Sequence, residues 1–188
     1  MFSTIGAVLF FIIQPKYIPR ELEYSIISVV FLSTYIIPVL FLFILKRKKT
    51  IESYHLETIN ERKFPILFFF ILNLLLGLRL LEFNIVEILA LSFIATAVAL
   101  IFVFILFYSK IKTSLHTLAI GGLIGFLMFL SYHYQIRILV LIASLFLLFG
   151  IVSIARLKLK AHTQKEVFLG FIIGIVSQLM TYYIYYRI

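Results

Sequence analysis

The chain has 188 residues and contains neither cysteine nor aspartate, and only 13% of its residues are charged. Without cysteine, neither disulfides nor thiolate chemistry can contribute. With glutamate as the only acid, there is no acidic cluster of the kind that holds Mg²⁺ or Ca²⁺, and no metal or other cofactor is expected. The scarcity of charge also leaves no room for a soluble domain. Hydrophobic residues make up 63% of the chain, and the polar ones gather between apolar runs instead of alternating with them, which is the pattern of a polytopic membrane protein.

A bilayer-spanning helix needs about 20 mostly apolar residues, and six runs qualify: 24–45, 64–81, 85–108, 118–130, 136–154 and 167–186. The fourth is short and is expected to extend into its flanks. The fold class this predicts is all-α, a membrane helical bundle forming a single domain over 1–188. A short N-terminal apolar segment and loop occupy 1–23, and a six-helix core occupies 24–188. The run from Met1 to Ile13 is apolar but short, has no basic leader or small-residue cleavage site, and is stopped by Pro15 and Pro19. It reads as a re-entrant or interfacial segment rather than a signal peptide.

The formal charge of +9 would suggest nucleic acid in a soluble protein, but here the basic residues sit at span ends, where they set topology. No nucleic-acid partner is expected; membrane lipids are. Six spans bring the connections 46–63, 109–117 and 155–166 to one face, with twelve of the seventeen basic residues. The positive-inside rule would make that face cytoplasmic. A site built to hold phosphate would be basic on either side, so orientation stays open. Inside the spans, Pro38 and Asn73 suggest a kink or a helix-to-helix hydrogen bond. Gly121 with Gly125, and Gly170 with Gly174, have the spacing that lets membrane helices approach closely.

The chemistry concentrates between the last two spans, in Arg156, His162 and Glu166. Four residues apart at the start of a helix, His162 and Glu166 point the same way, so the carboxylate can accept a hydrogen bond from one ring nitrogen. The other nitrogen then becomes an oriented nucleophile. The helix N-terminus and a returning Arg156 can bind phosphate oxygens, with Lys160 nearby. The plainer alternative is that Arg156, Lys158 and Lys160 snorkel to headgroups while His162 caps the helix or sits in the interface. A second element, Lys110-Ile111-Lys112-Thr113-Ser114-Leu115-His116, lies two spans earlier on the same face. Lys110, Lys112 and Ser114 can bind phosphate there, and His116 can protonate a leaving oxygen. His133 falls on the opposite face and reads as an interfacial residue.

These residues resemble the type-2 phosphatidic acid phosphatase superfamily. Its third signature, S-R-x-x-x-x-x-H-x-x-x-D, is echoed by Ala155-Arg156, His162 and Glu166; its second, P-S-G-H, by Thr113-Ser114-Leu115-His116. Spacing is kept in both while Ser, Asp, Pro and Gly are replaced. The first signature, K-x-x-x-x-x-x-R-P, is absent. Its nearest echo is Glu61-Arg62-Lys63-Phe64-Pro65, two spans earlier, as in a divergent bacterial branch where an E-R-[KR]-x-P string follows a His-containing loop, here Tyr54-His55-Leu56.

The resemblance covers the chain from Ser109 onward. It implies six core helices, a phospho-enzyme on His162, His116 as general acid, and Arg62 as a second phosphate clamp. The activity it implies is metal-independent hydrolysis of a lipid phosphate or isoprenyl pyrophosphate, in a bacterial cytoplasmic membrane. The alternative is a catalytically inactive relative that binds lipid or scaffolds partners. A transporter is disfavoured because Arg79, Glu82 and Glu87 lie near the far face instead of mid-span.

Overall fold

In lipid every backbone N–H and C=O must be satisfied within the segment, so long apolar runs become helices. A computed structural model describes residues 2–54, 56 and 58–187, with only the backbone of Phe2, and contains helices and no strands among them. In chain order they are α1 (Phe2–Ile13), α2 (Arg20–Arg47), α3 (Ile59–Leu81), α4 (Glu87–Leu106, entered through a 3₁₀ turn at Asn84–Val86), α5 (Leu115–Tyr134), α6 (Leu139–Lys158) and α7 (Gln164–Arg187). The helices α2 to α7 are each long and apolar enough to cross a bilayer, so the protein is a multi-pass membrane helical bundle.

Helices α4, α5 and α7 form its centre. More than half of the apolar stretch of α4 and of α5 is buried, 56% in each, against 6% for α6 and 11% for α2. The centre is tight because glycines line it. A side chain on Gly121 would collide with the Phe171 backbone, one on Gly174 with the Leu118 carbonyl, one on Gly170 with the Ser114 carbonyl, and one on Gly125 with Ile175 and Gln178. The backbones of α5 and α7 therefore touch, as small residues permit in membrane helices. Gln178 Nε2 donates to the Ser92 carbonyl at 3.0 Å, and the buried Tyr182 hydroxyl donates to the Ile88 carbonyl at 3.3 Å, tying α7 to α4. Outside this centre α3 packs on α4 and α6 on α5. The stacked rings of Phe149 and Phe171, 3.8 Å apart, join α6 to α7.

The structure refines several of these expectations. The first span begins at Arg20 instead of residue 24, because Pro19 starts the helix and Glu21 and Glu23 suit its positive end. The fifth begins at Leu139 instead of 136. Gln135 adopts a left-handed φ of 54° and turns the Ile136 N–H back to the Ser131 carbonyl, so an apolar Ile136 lies in a turn. Asn73 Nδ2 donates to Phe69 of its own helix, not to a neighbour. Pro38 follows a π-helical turn at Leu32–Ile36, which opens the backbone where proline cannot donate. The N-terminal segment α1 packs into the bundle, with Ala7 and Phe10 fully buried and Gly6 against Leu123 and Phe126. It is a half-length helix entering from the end opposite the lysine-rich connections.

At that lysine-rich end, α2, α4 and α6 all close in the same way. Lys49, Lys110 and Lys160 have φ of 57°, 58° and 51°. The next N–H in each case reaches back five residues, Thr50 to Leu45, Ile111 to Leu106 and Ala161 to Arg156, at 3.0, 3.1 and 3.2 Å. Glycine usually takes this position. A lysine there costs on the order of 1 kcal/mol in backbone strain, and its charge offsets part of that cost against the negative end of the helix.

Candidate active site at the lysine-rich end

Helix α7 starts with a capping box. The Thr163 N–H donates to Glu166 Oε2 at 2.9 Å, and the Glu166 N–H reaches Thr163 Oγ1 at 3.4 Å. This fixes the carboxylate at the helix mouth, where it gathers two further donors: the Lys112 N–H to Oε1 at 3.2 Å, and His162 Nδ1 at 3.3 Å from Oε2. His162 Nδ1 also lies 3.0 Å from the Lys112 carbonyl. Both partners of Nδ1 are acceptors, so Nδ1 carries the proton and Nε2 keeps its lone pair. The His162 side chain is 5% exposed. Burial, and then the charge of Arg62, push its imidazole below the usual histidine range; the Lys112 carbonyl and Glu166 act the other way without cancelling them.

The segment Lys112-Thr113-Ser114 is held at nearly every backbone polar group. Glu166 takes the Lys112 N–H and His162 its carbonyl. Arg62 Nη1 donates to the Thr113 carbonyl at 3.2 Å. The Ser114 N–H donates to the Glu166 carbonyl at 3.2 Å, and the Ser114 carbonyl accepts from Thr117 Oγ1 at 3.0 Å. Thr117 Oγ1 also lies 2.9 Å from the Val167 carbonyl, stitching α5 to α7 again.

The second histidine, His116, sits in the first turn of α5, exposed, with Nε2 only 2.6 Å from Arg156 Nη2 in the last turn of α6. A guanidinium can only donate, so His116 Nε2 accepts and is unprotonated in this arrangement. Arg156, His162 and Arg62 all lie within electrostatic range of the His116 ring. Four helix ends, from α3, α5, α6 and α7, thus contribute side chains to one cluster.

Not every expected residue lands there in the expected way. Arg62 is 7% exposed and braces loops, with Nε donating to the Leu56 carbonyl at 2.7 Å as well as Nη1 to Thr113. Ser114 is fully buried, and its hydroxyl has no hydrogen-bond partner among the described residues. Lys112 enters through its backbone, its side chain half-buried. Lys110 and Lys160 occupy the left-handed positions, exposed, with no side-chain hydrogen bond or ion pair to the cluster among the described residues. His55 lies outside the described residues. His133, at the far end, packs among the Phe129, Tyr134 and Tyr186 rings, tilted against the first and last and edge-on to Tyr134.

What the spacing argument missed is the role of threonine. Thr163-x-x-Glu166, like Thr58-x-x-Glu61 at the start of α3, is a capping-box pattern legible in the sequence. Among the described residues no three His or Glu side chains gather closely enough to hold a metal ion. No protein-family model matches the chain, and no curated protein or solved structure matches it either.

Proposed function

We propose that this protein is a lipid-phosphate or isoprenyl-pyrophosphate phosphatase of a bacterial cytoplasmic membrane, working through a phospho-histidine on His162. The observation that carries this reading is the fixed tautomer of His162. Nδ1–H is held by the Lys112 carbonyl and Glu166, which leaves a neutral Nε2 on a ring within electrostatic range of His116, itself hydrogen-bonded to Arg156.

The substrate phosphate draws Arg156 from His116 onto its own oxygens, where two parallel N–H donors suit it. This frees His116 Nε2 to take up a proton. Nε2 of His162 attacks phosphorus, the bond from phosphorus to the leaving oxygen breaks, and that oxygen takes the proton from His116. Arg156 and the basic surroundings stabilise charge on the equatorial oxygens. Water then attacks the phosphorus of the phospho-histidine, His116 accepts its proton, and inorganic phosphate leaves with His162 restored.

A second reading, a catalytically silent lipid-binding protein, is favoured by one observation: the Ser114 side chain, expected to bind phosphate, is fully buried. The test is phosphate release from phosphatidic acid and from isoprenyl pyrophosphates by the detergent-purified protein with EDTA present. Turnover by the parent chain, absent in His162→Ala, supports the enzyme. Lipid binding without turnover supports the silent relative.

A further inference from the structure

Helices α6 and α7 touch through the Phe149 and Phe171 rings, and between that contact and the lysine-rich end a groove lies between them. It has a volume of about 690 Å³ and is lined by Phe149, Ser153 and Leu157 of α6 and by Lys165, Val167 and Phe168 of α7. Its size lies within the range of ligand sites. It is open, and Phe168 is 59% exposed on its rim, so in a bilayer its contents come from the lipid. The mostly apolar lining ends in Gln164 and Lys165, both exposed at the start of α7, and Lys165 is its only cation among the described residues. The groove also abuts the cluster in sequence: Leu157 follows Arg156, and Lys165 precedes Glu166.

We infer that this groove seats the hydrocarbon chain of the lipid phosphate whose head is bound by Arg156 and His162, with Lys165 neutralising the head as it leaves the bilayer. This rests on the phosphatase reading and adds a route to it: substrate enters sideways between α6 and α7. Charge complementarity selects the occupant. An apolar slot closed by a cation suits an acyl chain carried on an anionic head and gives a zwitterionic lipid no comparable advantage. The sparse packing of α6 leaves that side of the bundle open.

The chain contains no tryptophan, so Phe168→Trp places a lone indole on the groove. In nanodiscs, phosphatidic acid brominated on its chains should quench that indole several-fold more than brominated phosphatidylcholine at equal mole fraction. Lys165→Gln in the same background should remove the preference. Equal quenching by the two lipids overturns the groove assignment whatever the activity proves to be. Where turnover is present, Ser153→Phe, which fills the groove, should lower turnover of long-chain phosphatidic acid several-fold relative to a dihexanoyl analogue. An unchanged ratio overturns the assignment while leaving the phosphatase intact. Absence of turnover on both substrates, with preferential quenching retained, defeats the phosphatase reading, and the lipid seat stands without it.

Discussion

Each end of the bundle carries a histidine beside a helix terminus, and the two are held in different ways. At the lysine-rich end His162 is fixed by directional bonds to the Lys112 carbonyl and the Glu166 carboxylate, and the carboxylate in turn accepts from the Lys112 and Thr163 N–H groups. At the far end His133 lies among rings, 5.7 Å from Phe129 and 5.5 Å from Tyr186, with Tyr134 edge-on at 4.9 Å. Tilted and edge-on ring contacts tolerate rotation and suit an anchor at the edge of a membrane. A hydrogen-bonded ring with one nitrogen committed has a single orientation, which a nucleophile requires. Two imidazoles at opposite ends of the bundle thus differ because one neighbourhood is aromatic and the other is made of opposed donors and acceptors.

The contrast is broken most severely by exchanging activity between the ends. His162→Ala should lower phosphate release at least ~10³-fold, while His133→Ala should leave it within about twofold; comparable losses would erase the distinction. Next in size, Glu166→Gln keeps the shape but presents an amide N–H₂ to one of three donors. Turnover should drop ~10²-fold, and chemical denaturation should show a loss of about 2 kcal/mol.

Arg62→Met tests whether the clamp on Lys112-Thr113-Ser114 is structural. Leaving the Leu56 and Thr113 carbonyls without their donor should cost about 2 kcal/mol, read by the same denaturation. No loss would mean that the brace is idle.

The smallest effect is on pH dependence. His162 titrates below 6.5 in the folded chain, so from about 6.5 downward the unfolded state takes up a proton that the folded state refuses. Stability therefore declines as pH falls through the folded value and levels off below it. The acid limb of kcat/KM should likewise lie under 6.5, because the nucleophile must be neutral. Arg62→Met should move that limb upward and Glu166→Gln downward, since the two charges act on His162 with opposite signs.

The six spans were legible because the hydropathy of each run exceeds anything a soluble helix needs, and the lipid removes the alternatives. Their ends were less so. Ile136 looks like the inside of a span, and only the left-handed Gln135 places it in a turn. In the cluster, the four-residue spacing was enough to pair His162 with Glu166. The sequence could not disclose that Lys112 contributes its peptide group, since every residue has one and only tertiary contact selects which is used. Arg62 was expected as a second phosphate clamp from the resemblance of Glu61-Arg62-Lys63-Phe64-Pro65 to a family string. The structure gives it bonds to the Leu56 and Thr113 carbonyls as well, and a string of residue types does not report depth.

The four glycines between α5 and α7 set a distance as well as a contact. With no side-chain thickness between the two backbones, the gap from the peptide chain before α5 to the carboxylate that starts α7 is fixed by atomic radii. A methyl group at Gly121 or Gly174 would act as a shim. The helices would remain helices, yet the imidazole would lose its purchase on the Lys112 carbonyl, so the alignment of the His162 ring depends on buried glycines about two turns below it.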